Sequence, residues 1–107
     1  MRGDVVRLPA ARGAAGRELK GARYGVVVQG DDFELLSTVV VVPTSRSAQP
    51  RSFRPTVTVG GTDTQVLPEQ IRSLDRQRIR NRVGHLAPAE MKAVDEALRA
   101  VFDLPRR

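Results

Sequence analysis

Five consecutive positions, Thr38-Val39-Val40-Val41-Val42, are all β-branched, and four of them are valine. Such residues lose side-chain freedom in a helix and pack well on a pleated surface, so the run is a strand. Apolar for most of its length, it does not alternate, so both of its faces must be covered. It is also far too short to cross a bilayer as a helix. A chain of 107 residues is expected to form one domain, 1–107, and must wrap other elements around this strand. Pro43 has no N–H to give to a ladder and is read as the strand's end.

The other elements fit that requirement. Asp4-Val5-Val6-Arg7-Leu8 reads as an opening strand closed by Pro9, and Tyr24 to Gln29 as a second, followed by the turn signal Gly30-Asp31-Asp32. Thr56-Val57-Thr58-Val59 alternates as a strand with one wet face and ends at Gly60-Gly61. The stretch from Gln65 to Leu74 is ambiguous: Pro68 interrupts it, and Gln70 to Leu74 fits a strand or a helical turn. Asp75 is placed to cap a turn over Arg76 to Ile79. Arg82 to Leu86 reads as a last short strand. Pro88 then opens a helix in which Met91, Val94, Leu98, Val101 and Phe102 recur at helical spacing until Pro105. The expected fold is mainly β with a C-terminal helix, a small, partly open barrel on which that helix packs.

Composition narrows the chemistry. Aromatic residues make up only 4% of the chain, so aliphatic side chains must fill its interior. There is no cysteine, which removes disulfides, thiolate nucleophiles and cysteine-ligated zinc. The single histidine, His85, removes a histidine-rich metal site, whereas a carboxylate site for magnesium stays open. We therefore expect no transition-metal cofactor. Met1-Arg2-Gly3-Asp4 lacks the apolar core of a secretory signal, and the expectation is a soluble, cytoplasmic chain. The net charge of +6 is carried almost wholly by arginine, which favours a polyanionic partner, nucleic acid or an acidic protein. No segment joins a basic face to a large apolar one, so a membrane surface is not the expected partner.

From Ala10 to Ala22 the chain is small, glycine-containing, basic and aperiodic, a long connection for so small a domain. Its second half, Gly16-Arg17-Glu18-Leu19-Lys20-Gly21-Ala22-Arg23, delivers an arginine to the lip of a strand. A guanidinium on a rigid element suits a bidentate grip on phosphate; its structural alternative is a pair with Glu18.

Taken in order, these pieces resemble the MazF/PemK/Kid family of bacterial toxin ribonucleases over nearly the whole chain. Arg2-Gly3-Asp4-Val5-Val6 is similar to the family's opening strand, and Gly16, Glu18, Gly21 and Arg23 match its G-x-E-x-x-G-x-R loop. Val42-Pro43-Thr44-Ser45 resembles its strand-end threonine motif, and Glu69 to Ile79 its E/D-Q-I-R-T block. Gly84-His85-Leu86 and Met91 to Leu98 resemble its closing strand and helix.

The resemblance implies an SH3-like barrel of the CcdB/PemK type acting as a homodimer. It implies metal-independent, sequence-specific cleavage of single-stranded RNA to 2′,3′-cyclic phosphate and 5′-hydroxyl ends. An antitoxin with an acidic, partly disordered tail would block the RNA groove. Arg23 corresponds to the catalytic arginine and Thr44 to the catalytic threonine. The spacing before Thr44 departs from that of relatives, so Ser45 stands as the alternative hydroxyl. Tyr24 replaces the usual proline and reads either as packing or as a stacking ring. Glu18 is expected to orient Arg23 or contact RNA, and Glu69 and Gln70 to contact bases. Lys20, Arg46 and Arg51 are expected to bind the RNA backbone. Arg76, Arg78, Arg80 and Arg82 form a basic run, solvated or facing the antitoxin, and His85 reads as structural. Two other readings share the fold: a CcdB-like gyrase poison and a non-catalytic RNA- or antitoxin-binding relative.

Overall fold

The computed structural model describes residues 1–9, 23–79 and 81–105. The expected loop from Ala10 to Ala22, with Glu18 and Lys20, and Arg80 lie outside the described residues. The described strands are β1 (Asp4–Leu8), β2 (Arg23–Val27), β3 (Thr38–Ser45), β4 (Thr56–Val59), β5 (Thr62–Val66), β6 (Arg72–Asp75) and β7 (Arg82–His85). One α-helix, α1 (Pro88–Phe102), follows. The strands form one antiparallel sheet in the order β4-β5-β3-β2-β1-β7, with β6 also paired to β3, and the sheet curls into a half-barrel. Among the described residues, no helix is long and apolar enough to cross a membrane.

β3 is the strand that the valine run requires, and it is longer than expected. It continues through Pro43 to Ser45, whereas Pro43 is expected to end it. Pro43 is tolerated because β3 changes neighbour there. On one edge it pairs with β2 from Val41 to Pro43; on the other it pairs with β6 from Thr38 to Val41 and with β5 at Thr44 and Ser45. At the change-over the Pro43 carbonyl accepts the Leu67 N–H at 2.9 Å, and the missing proline N–H leaves nothing unsatisfied.

β5 is not recognisable as a strand in advance, because Thr62-Asp63-Thr64-Gln65-Val66 holds a single apolar residue. Its hairpin with β4 makes it one. Gly60 and Gly61 take φ of 59° and 81°, the left-handed pair that a two-residue hairpin turn demands. Ambiguity between Gln65 and Leu74 resolves into the end of β5, a 3-10 turn over Pro68–Gln70, and β6. The expected cap at Asp75 is present: its Oδ1 accepts the Gln77 N–H at 2.9 Å.

Alternation divides the valines between two cores. Val5, Val26, Val42, Val57, Val59 and Val66 pack with Leu86 and with Val94 of α1; Tyr24, Met91 and Leu98 lie against this cluster. Val6, Leu8, Val27, Val39 and Val41 form the second core with Leu74 and Ile79. Two polar clasps hold α1 to the sheet. Arg2 makes a bidentate pair with Asp95 while its Nε donates to the Val28 carbonyl at 3.1 Å. Glu90 accepts the Ala87 N–H at 2.9 Å and the Thr58 N–H of β4 at 2.8 Å.

A third clasp closes the β1–β7 edge. The buried Asp4 carboxylate pairs with His85 Nδ1 at 2.8 Å, Arg82 Nε at 3.0 Å and the Met1 α-amino group at 3.2 Å. Burial alone pushes this carboxyl up, but the His85 hydrogen bond, the α-amino group and the Arg82 charge outweigh it and leave Asp4 below its ordinary value. A carboxyl depressed by folding contributes stability above its unfolded-state value and loses it as the pH falls through the folded-state one. Asp4→Ala is therefore expected to cost about 1–3 kcal/mol at neutral pH. The deficit should shrink as the pH drops below ~3.9, which urea titrations of both proteins across pH 2–7 would measure.

Candidate functional site

The register of β1, β2 and β3 decides which polar side chains share a face. Leu8 pairs with Arg23, and Gly25 with Pro43. Carrying the β2–β3 register two residues further places Tyr24 opposite Thr44 and Arg23 opposite Ser45. The Thr44 hydroxyl, which donates to the Tyr24 carbonyl at 3.1 Å, sits where that pairing requires. Side chains on one strand alternate between faces. Val27, Gly25 and Arg23 therefore lie on the face of the second core. A Cβ on Gly25 would meet Leu8 Cδ1 at 2.9 Å, which agrees with that face and means that a larger residue there would have to displace the Leu8 side chain. Thr44 follows Val42 to the opposite face, and Ser45 follows Val41 to the face of Arg23.

Beyond β3 the row continues. Ser45 pairs with Gln65 of β5, and Gln65 with Thr56 of β4. Ser45, Gln65 and Thr56 thus form one polar row across three strands, on the face turned away from Val66, Val57 and α1, and the extended β2–β3 register sets Arg23 at its end. Arg23 and Gln65 are half-buried and Thr56 is exposed. Gln65 Nε2 donates to Thr56 Oγ1 at 2.8 Å.

The two candidate hydroxyls differ chemically. Both residues are buried, Thr44 at 5% exposure and Ser45 at 9%. The Thr44 hydroxyl spends its proton on the Tyr24 carbonyl, a group that can only accept. Ser45 Oγ instead accepts the N–H groups of Ser47 and Ala48, at 3.2 and 3.1 Å. It also meets Ser47 Oγ, a hydroxyl of an exposed residue, at 3.3 Å, a contact in which either oxygen can donate. Accepting two N–H bonds polarises the Ser45 O–H and makes it the better donor.

The cationic residues fall on the loop after β3. Arg46 and Arg51 are exposed, and Arg51 bonds locally to the Pro50 carbonyl and Gln49 Oε1. Glu69 and Gln70 lie on the 3-10 turn after β5, both exposed. Glu69 is engaged: Arg54 reaches it through Nε at 3.0 Å and Nη2 at 2.5 Å, while Arg54 Nη1 donates to the Gln49 carbonyl and its guanidinium lies 5.4 Å from the Phe53 ring centre. Arg54 and Gln65 are functional candidates that sequence reasoning missed. The alternation of Thr56 to Val59 already marked one polar face, and only the hairpin shows that Gln65 joins it. His85 lies at the Asp4 end of β1, opposite the Arg23 end. Of the basic run, Arg76 Nε donates to the Leu36 carbonyl at 3.0 Å, Arg82 pairs with Asp4, and Arg78 is exposed.

Residues 1–102 match the family model described as PemK-like, MazF-like toxin of type II toxin–antitoxin system. This chain belongs to that family. A Mycobacterium tuberculosis (strain ATCC 25618 / H37Rv) protein named as a candidate toxin, Rv3098A, is 45% identical over 74 residues, 69% of each chain. Among solved structures, a mycobacterial endoribonuclease in complex with its cognate antitoxin superposes with a TM-score of 0.80 at 21% identity, over 100% of this chain and 98% of that one. MazF from Deinococcus radiodurans does so with a TM-score of 0.76 at 22% identity, over 96% of each. At these identities the structural likeness bears on fold, and on that level it agrees with the barrel-and-helix expectation.

The Arg54–Glu69 contact ties the loop after β3 to the turn after β5. Glu69→Gln should expose that loop, raising tryptic cleavage at Arg46 and Arg51 several-fold in timed digests read by mass spectrometry. Global stability should change by no more than about 1 kcal/mol, since the pair is partly exposed. Exchanging the two charges, Arg54→Glu with Glu69→Arg, should restore protection.

Proposed function

We propose that this toxin is a metal-independent, sequence-specific endoribonuclease of single-stranded RNA. What supports this reading is the β2–β3 register, which when extended two residues sets Arg23 across from Ser45, a cation beside a polarised hydroxyl. In the proposed step the ribose 2′-hydroxyl passes its proton to water as its oxygen bonds to the neighbouring phosphorus. The P–O5′ bond breaks and O5′ takes a proton back from water, leaving a 2′,3′-cyclic phosphate and a 5′-hydroxyl. Arg23 holds two non-bridging oxygens and offsets the charge that grows on them. Ser45 donates to a phosphate oxygen or to the departing O5′. Thr44, its proton committed to Tyr24, holds β2 and β3 in register. Glu18 and Lys20 belong to the matching loop motif, and no step is assigned to them.

Arg46, Arg51 and Gln70 flank this row on exposed loops and line the path of the RNA. Glu69 acts there through Arg54. The chain works in the cytoplasm as a homodimer, restrained by an acidic antitoxin tail that competes with RNA for the same cations. The +6 net charge suits such a tail, and the mycobacterial neighbour was solved with its cognate antitoxin. The family match and the endoribonuclease neighbour favour this reading over a gyrase poison.

Purified protein incubated with a long mixed-sequence RNA in EDTA should give discrete cuts bearing cyclic phosphate. Arg23→Ala and Ser45→Ala should each lower kcat by about 10²–10³. Thr44→Val should keep kcat within a few-fold while losing about 1 kcal/mol of stability. A Thr44→Val protein that is folded but inactive, beside an active Ser45→Ala, would reassign the hydroxyl.

A further inference from the structure

One polar atom in the row has no partner. Among the described residues, Gln65 Oε1 is the buried side-chain oxygen or nitrogen that makes no hydrogen bond. A buried acceptor left in that condition is destabilising, so its retention calls for an explanation. Turning the amide over would not remove the deficit: Oε1 would then take the Thr56 hydroxyl and leave Nε2 orphaned instead. Simple packing would be served better by leucine or methionine at this position. Nor does the strand need glutamine, since the β4–β5 ladder runs through the backbone and Thr56, being exposed, can bond to water.

The position of the orphan says what it awaits. Gln65 is the cross-strand partner of Ser45, and the extended β2–β3 register sets Ser45 across from Arg23. Neighbouring strands lie about 4.8 Å apart, so Gln65 sits one strand beyond the proposed phosphate-handling pair. A nucleotide whose phosphate rests on Arg23 and Ser45 brings its base or its neighbour's base over β5. Base edges carry N–H donors, namely the exocyclic amines of adenine, cytosine and guanine and the ring N–H of guanine and uracil. Gln65 as a whole is half-buried, and its side chain has three rotatable bonds, so a rotamer change brings the amide to the surface, where Oε1 meets an arriving donor and Nε2 bonds to water.

We infer that Gln65 is a specificity-determining residue, which accepts a hydrogen bond from a base flanking the cleaved bond and fixes the base preference at that one position. This rests on the ribonuclease reading above. The cost of the unpartnered oxygen in the free protein becomes discrimination in the complex, because a base lacking the donor leaves the oxygen orphaned while the right one satisfies it.

The test compares wild type, Gln65→Leu and Gln65→Glu. Cut ends in the long mixed RNA would be sequenced, kcat/KM measured on the preferred oligonucleotide and its single-base variants, and thermal unfolding recorded. Gln65→Leu is expected to lose about ten- to hundredfold in kcat/KM on the preferred sequence, with the preference at one position collapsing and the others kept. Its Tm should be unchanged or raised, since the substitution removes an unsatisfied acceptor. Gln65→Glu keeps an acceptor and should keep the base preference, at a lower overall rate from repulsion of the phosphates. A wild-type chain that cuts no RNA overturns the ribonuclease reading and this inference with it. Wild-type cleavage together with unchanged discrimination at every position in Gln65→Leu overturns this inference alone, as does a loss of rate that merely follows a fall in Tm.

Discussion

Everything in this fold depends on the period-two register of β3. A strand offers two edges and two faces, and β3 uses all four. One edge is taken by β2, the other is divided between β6 and β5, and its valines feed the two cores alternately. Slipping β3 by one residue against β2 would exchange every face at once. It would put Val42 in the place of Val41 and the Thr44 side chain beside Arg23. The interlocked valine cores make that slip costly, which is why a chemical distinction between two adjacent hydroxyls can rest on hydrophobic packing some distance away.

Much of this was legible in the residues. The unbroken valine run demands a doubly covered strand, and the helical spacing from Met91 to Phe102 places α1 with its buried Val94. Asp75 caps its turn as its residue type foretells. The misses have a common cause. Pro43 fails to end β3, and the mostly polar Thr62–Val66 succeeds as a strand, because both outcomes depend on a neighbour supplied by distant sequence. Proline is harmless where the ladder changes partner, and a polar segment is a strand when a Gly60-Gly61 turn folds it back on an apolar one.

The same limit applies to the site. Arg23 is marked by its loop motif, and Thr44 and Ser45 by their place after the valine run. Which of the two hydroxyls joins Arg23 depends on pairing across strands, as does the inclusion of Gln65 and Thr56 in the row. The engagement of Glu69 by Arg54 likewise joins residues fifteen apart through a loop and a hairpin. The side that carries α1 holds one apolar cluster, and the opposite side holds the second core with the polar row beyond it, where the proposed function places the RNA.

The most direct test of this account is a crystal structure of the protein bound to a single-stranded RNA of its preferred sequence, made uncleavable by a 2′-deoxy sugar at the cut site. The uncut phosphate should lie between Arg23 and Ser45, with the strand of RNA continuing over Gln65 toward Thr56. A phosphate seated instead on the Thr44 and Tyr24 face, with Arg23 and Ser45 turned away from it, would contradict the register argument on which the proposed chemistry stands.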